Sequence, residues 1–154
     1  MLQIIIHSYY KLGDYMPRCK YTNSEVSLLA RLMRSEAVGE GRFGMKLVGN
    51  VVINRVVAKC LNFRKVNNIT QVIYQKGQFS GISGKLFYGN ATSVERRLAL
   101  DTINFWRAYP AYSALFYQNP GKGKTCRKRF WGTYAGKFKN HCFYNADASA
   151  RCRF

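Results

Sequence analysis

Acidic side chains are scarce in this sequence. Asp and Glu total 7 of 154 residues against 25 Lys and Arg, for a formal net charge of +18. Asp14, Glu25, Glu36, Glu40, Glu95, Asp101 and Asp147 are the whole supply of carboxylate catalysts and acidic metal ligands. Sites built from many carboxylates, such as calcium loops, are therefore close to excluded. Histidine is rarer still: His7 and His141 stand far apart with no companion at zinc-ligand spacing. Five cysteines include no CxxC pair, which argues against a zinc ribbon or a thioredoxin-type motif. No metal site is expected. The chain also lacks the apolar run of about 18 residues that a transmembrane helix needs. Its first residues, Met1 to His7, lack the basic and apolar regions of a signal peptide.

What is present is enough for one domain. The chain is 47% hydrophobic and 15% aromatic, so a core can be buried and wholesale disorder is excluded. The basic excess points to a polyanionic partner: nucleic acid, an acidic glycan or wall polymer, or an anionic membrane surface. Cys126, Cys142 and Cys152 crowd the C-terminal end. They either form a bridge, if the protein matures outside a reducing compartment, or stay as buried or unpaired thiols.

Residues 1–21 show no clear periodicity and read as an N-terminal extension, with Met16 an alternative start; the domain proper is 22–154. Thr22-Asn23-Ser24-Glu25 is a capping box opening a helix from about Ser24 to Val38. Gly39 ends it, with Gly41 and Gly44 keeping the next stretch loose. A second helix is predicted from about Met45 to Lys59, and a short third from Asn68 to Tyr74. Residues 80–93 form a loop long enough to be functional. Thr92 and Glu95 are a second capping box, for a helix to about Trp106 that Pro110 closes off. Ser113 to Tyr117 and His141 to Tyr144 are predicted to be partner strands, separated by a basic, glycine-rich loop over Pro120 to Arg129.

On the first helix, Val26, Leu29, Leu32, Met33 and Ala37 make an apolar stripe, with Ser27, Arg31, Arg34 and Ser35 opposite. Glu36 falls within that stripe. A carboxyl group there faces the core or a cleft wall, which favours its proton-carrying form. That is the requirement for a general acid at a glycosidic bond. The plainer alternative is that it turns to solvent or pairs with an arginine. Glu40 either approaches the same cleft as a second carboxylate or closes a turn through backbone N–H groups. Asp101 reads as a surface ion pair with Arg97, and Glu95 as a cap. The interleaved bases and aromatics of Lys124 to Trp131 suit phosphates and bases, or an acidic glycan. Tyr74, Gln78, Phe79 and the Tyr109 to Tyr117 segment are mostly core, with one or two lining a cleft.

Four stretches resemble, in order, the blocks of the SleB/CwlJ cell wall hydrolase family: Leu29 to Gly41, Gly49 to Val56, Ile69 to Ser80 and Asn140 to Tyr144. The compact form is most similar to the CwlJ branch. The resemblance implies an α+β, mainly helical, lysozyme-like and lytic-transglycosylase-like single domain with a small C-terminal β element. It implies an enzyme that cleaves spore cortex peptidoglycan containing muramic δ-lactam during germination. Its catalytic glutamate falls on Glu36, with Tyr74, Gln78, Phe79, Asn54, His141 and Tyr144 as substrate-binding candidates. It further implies manufacture in the mother cell, a place at the boundary of spore coat and cortex with a coat protein partner, and activation by calcium dipicolinate. The anionic partner is then cortex peptidoglycan, and no nucleic acid is expected. The alternative reading is a cationic, non-catalytic nucleic-acid-binding protein.

Overall fold

The computed structural model describes residues 16–154. Readings that fall on residues 1–15, including Asp14, His7 and most of the extension, lie outside the described residues. In the described part of the extension, the Arg18 N–H donates to the Ile103 carbonyl at 2.8 Å, and its guanidinium donates to Asn54 Oδ1 at 2.6 Å.

Helix α1 spans Asn23–Ala37 and begins as its sequence dictates. The Thr22 hydroxyl accepts from the Glu25 N–H, and the Glu25 carboxylate accepts from the Thr22 N–H, satisfying two orphan donors of the first turn. Val26, Leu29, Leu32, Met33 and Ala37 are buried. The opposite face is not left to solvent. Arg34 donates to the carbonyls of Leu86, Tyr88, Gly89 and Asn90 and pairs with Glu95 at 2.9 Å. Arg31 donates to the Phe87 carbonyl, and Arg96 to the Ser27 hydroxyl. A polar helix face thus docks the 80–93 loop through charge-assisted bonds to its backbone.

Helix α2, Gly41–Ala58, starts four residues before its expected beginning. A single 3₁₀ turn, Val38–Glu40, joins it to α1. The glycines do not loosen this stretch. A Cβ on Gly44 would stand 2.6 Å from the Glu40 Cβ and 3.3 Å from the Phe138 ring, so Gly44 lets Glu40 and the sheet close on the helix. The α2 face Val48, Val52 and Val56 packs against α1, while Leu47 and Val51 meet Ala114 and Phe143 of the sheet. Helix α3, Ile69–Ile73, is capped by the Asn68 side chain accepting from the Gln71 N–H. Helix α4, Ser93–Asn104, opens on its Thr92–Glu95 capping box. Asp101 pairs with Lys46 at 3.8 Å, not with Arg97, because the tertiary neighbour on α2 stands on its side of the helix.

Strand β1, Ala114–Gln118, pairs antiparallel with β3, His141–Asn145, as the pattern implied. The sheet has a third strand that pattern does not announce: β2, Thr133–Phe138, giving the order β1-β3-β2. Ala135 and Gly136 break its alternation, and the register shifts at Gly136. Two disulfides tie the C-terminal region down, Cys126–Cys142 and Cys60–Cys152. The second spans 92 residues, long enough for a loop-entropy contribution of order 4 kcal/mol. Cys19 is the free thiol. No described helix is long and apolar enough to cross a membrane.

Candidate active site

The last turn of α1, the start of the 80–93 loop and strand β1 converge on Glu36. Its Oε1 accepts from the Gly81 N–H at 2.8 Å, and its Oε2 accepts from the Tyr117 hydroxyl at 3.0 Å. The backbone reaches so close only because residue 81 has no side chain. A Cβ there would lie 2.6 Å from Glu36 Oε1 and 2.5 Å from Ser35 Oγ. Glu36 is half-buried, neither pointing into open solvent nor paired with a cation among the described residues.

Tyr117 connects this carboxylate to the rest of the site. Its ring stands edge-on to His141, with centroids 5.1 Å apart. Burial, and next the Glu36 charge, push its hydroxyl pKa well above the usual tyrosine range, so the group stays a proton donor to Glu36. Behind it, Glu40 is buried and fully engaged. One oxygen meets His141 Nδ1 at 2.7 Å and the other accepts the Asn140 N–H at 2.9 Å, while the Lys139 ammonium donates to its carbonyl. Of the two roles open to Glu40, the structure shows it closing the β2–β3 turn.

Arg55, from the middle of α2, stands on the other side of Tyr117. Its Nε–H donates to the Leu115 carbonyl at 2.8 Å, and its guanidinium lies over Phe63 and Phe79 at 4.9 and 4.8 Å. Burial lowers its pKa to about 10, against the pull of Tyr117 and Glu36, so it is still a cation at neutral pH. Arg55, Asn62, Gly77, Gln78, Phe116, Tyr117, Phe130 and Trp131 enclose a cleft of about 220 Å³, which meets the Glu36 carboxylate through its partner Tyr117. Trp131 projects at its rim, 76% exposed.

The sequence-derived candidates therefore divide. Gln78 lines the cleft, Phe79 stacks on Tyr117 beneath it, and His141 holds Tyr117 from the far side. Tyr74, just past the end of α3, is exposed and meets Phe87 edge-on instead. Asn54 is fully buried, donating to the carbonyls of Ala111 and Ala114. Tyr144 is fully buried too, its hydroxyl donating to the Arg127 carbonyl. These last two frame the sheet and offer no surface to a ligand. Trp131 belongs to the Lys124 to Trp131 stretch read as suited to a glycan or a nucleic acid, whereas Gly81 and Arg55 were not among the site candidates. The one available signal for Arg55 was the polar pair Asn54-Arg55 inside an otherwise apolar helix.

Among the described residues, every other acid has a structural duty. Glu25 caps α1 and accepts from Thr70, Glu95 pairs with Arg34, and Asp101 with Lys46. Asp147 pairs with Arg129 at 2.5 Å on the surface, which lowers its pKa. No cluster of three metal-ligating side chains is found among the described residues.

Residues 39–144 match the model of a family described as Cell Wall Hydrolase. The matched span begins downstream of Glu36 and includes Glu40. The chain is 42% identical over 127 residues to the cell wall hydrolase CwlJ of Bacillus subtilis strain 168, covering 82% of this chain and 89% of that protein. It is 28% identical over 100 residues to a spore cortex-lytic enzyme of Bacillus cereus, where it spans 36% of the longer relative. Its fold superimposes on the catalytic domain of the germination-specific lytic transglycosylase SleB from Bacillus anthracis, with a TM-score of 0.66 and 25% identity over 81% of this chain and 97% of that one. The mainly helical, lysozyme-like α+β reading of the sequence stands.

Proposed function

Since the chain belongs to the cell wall hydrolase family and is a peptidoglycan-cleaving enzyme, we propose that it degrades spore cortex peptidoglycan during germination with Glu36 as its general acid and base. The observation that carries the assignment is the pair of donors that hold both oxygens of this one carboxylate, the Gly81 N–H and the hydroxyl of Tyr117, a residue that also lines an open cleft. With Glu36 protonated at Oε2, that oxygen goes on accepting from the Tyr117 hydroxyl through a lone pair, and its own proton passes to the oxygen of a β-1,4 bond following an N-acetylmuramic residue. The C–O bond breaks and positive charge develops at the anomeric carbon.

Hydrolysis would normally bring a second carboxylate to place water or attack that carbon. Glu40 is committed to His141 and the Asn140 N–H, which leaves Glu36 to act alone. As the base it has become, it removes the proton of the sugar's own 6-hydroxyl while that oxygen attacks the anomeric carbon. The proton returns to Glu36 and the product is a 1,6-anhydro sugar. The lytic transglycosylase named among the similar structures supports this route. The +18 charge then holds the enzyme on a polymer rich in peptide carboxylates, in a salt-sensitive way. Muramic δ-lactam as the marker of the substrate, a location in the outer spore layers with a coat protein partner, and activation by calcium dipicolinate belong to the same reading. The family match sets aside a non-catalytic nucleic-acid-binding protein.

The test is digestion of lactam-containing cortex with the wild type and Glu36→Gln, with fragments identified by mass. Anhydromuramic ends from the wild type and none from the variant are expected. Equal release by Glu36→Gln removes the glutamate from the mechanism, and reducing muramic ends from the wild type replace transglycosylation by hydrolysis.

A further inference from the structure

Arg55 is 4% exposed, and a buried cation costs several kcal/mol unless its charge and donors are met. Here they are not. A guanidinium has five N–H donors. Among the described residues only the Nε–H of Arg55 has a hydrogen-bond acceptor, and Nη1 is buried without any. No carboxylate of the described residues lies within ion-pair distance of it. The rings of Phe63, Phe79 and Phe116 supply cation–π contact but no acceptor. This same guanidinium forms part of the wall of the cleft beside Tyr117.

We propose that this cleft is a subsite for the acylamino substituent of one sugar of the glycan, whose carbonyl oxygen accepts from Nη2 of Arg55, the guanidinium nitrogen that is neither bonded nor sealed from the cleft. The inference rests on the reading of the chain as a glycan-cleaving enzyme and assigns where, and by what, its substrate is gripped. Three features select this ligand chemistry. The cleft, at about 220 Å³, is below the size of pockets that take drug-sized ligands, and admits one substituent rather than a sugar with its peptide. Phe116, Phe130 and Trp131 give an apolar wall for the methyl or ring carbons of an amide, and Gln78 adds a polar edge. Nε of Arg55 is taken by the Leu115 carbonyl and Nη1 is sealed, so the guanidinium cannot offer the paired donors that a carboxylate takes, whereas a single carbonyl oxygen needs only one. Arg55 is thus a binding residue that places the sugar next to Glu36, with Trp131 offering its exposed face at the rim.

The experiment compares cleavage of one wall preparation before and after chemical removal of its N-acetyl groups, by the wild type and by Arg55→Lys. The wild type should prefer the acetylated wall by about tenfold or more, and folded Arg55→Lys should lose most of that preference. A wild type that cuts both walls equally, or an Arg55→Lys that is slower but equally selective, overturns the proposal. No cleavage of the intact wall by the wild type would instead sink the enzymatic reading itself. A measurement that needs no folded variant runs alongside. In the wild type, the Arg55 Nε–H resonance should shift on adding tri-N-acetylchitotriose and stay in place with the glucosamine trimer. An unmoved resonance, or an equal shift with lactate that marks a carboxylate site, refutes the assignment.

Discussion

Replacing Gly81 by Ala separates the catalytic geometry from the fold. The new Cβ would stand 2.6 Å from Glu36 Oε1 and 3.1 Å from its Cδ. The carboxylate must retreat by at least about 0.4 Å to leave the forbidden range, and by about 0.8 Å to reach ordinary van der Waals distance. It moves because it is the end of a flexible side chain, and in moving it stretches its 2.8 Å bond to the residue 81 N–H. That bond, with a charged acceptor, is worth about 1.5–3 kcal/mol. Gly81 does not have a positive φ, so alanine costs no backbone strain and recovers about 0.4–1 kcal/mol by restricting the unfolded chain. The net loss of about 1–2 kcal/mol lowers the melting temperature by only a few degrees in a domain of this size. Activity suffers more, because a catalytic group displaced by the better part of an ångström costs on the order of 100-fold in rate. Gly84→Ala is the control. In the same loop, its Cβ would meet only the Gly81 carbonyl, at 3.4 Å. Turbidity loss of purified cortex and a thermal melt, run on both variants, give the answer. A folded Gly81→Ala with near wild-type rate, or a Gly84→Ala equally impaired, refutes the role given to this contact.

Tyr117→Phe keeps the ring beside His141 but deletes the donor to Glu36 Oε2, and should slow cleavage about 10- to 100-fold. Because burial and Glu36 raise the ionisation of Tyr117 well above the ordinary value of 10.0, this donor persists as pH approaches 10. An alkaline fall in wild-type rate below that pH that disappears in Tyr117→Phe would contradict the assignment. Burial likewise raises the Cys19 thiol to about 11, leaving under about 1% thiolate at pH 8.5, so the native protein should resist alkylation. Unfolded without reductant it should take one label, and three or five labels, read by mass, would show that one or both disulfides are missing.

Local chemistry was legible in the sequence wherever its signal spans a few residues. Both capping boxes and the Asn68 cap follow from residues close in the chain. The helical spacing also brought Glu36 forward, since its place beside Leu32 and Met33 is fixed by the geometry of one helix. Its partners were not legible. Gly81 and Tyr117 lie 45 and 81 residues away, and only the folding of the loop and sheet onto α1 brings them together. The loop itself is placed by Arg34 and Arg31, which a helical wheel assigns to a polar face without saying that the face is occupied. Glycines misled for a related reason. In sequence a glycine signals looseness, but Gly44 is compact helix, kept without a side chain so that Glu40 can sit against it.

Glu36 and Glu40 show how neighbours, rather than residue type, decide what a carboxylate does. They are four residues apart on adjoining turns, and both accept a backbone N–H from a distant segment. Glu40 meets a histidine in a buried turn, so its second oxygen is spent on holding β2, β3 and α2 together. The second oxygen of Glu36 meets a hydroxyl donor, which occupies one lone pair and brings no charge partner. The poverty in acids gives the comparison its force. With seven in the chain, and each of the other described ones serving a cap, an ion pair or a turn, Glu36 is the one described carboxylate left for the proposed role of acid first and base afterwards.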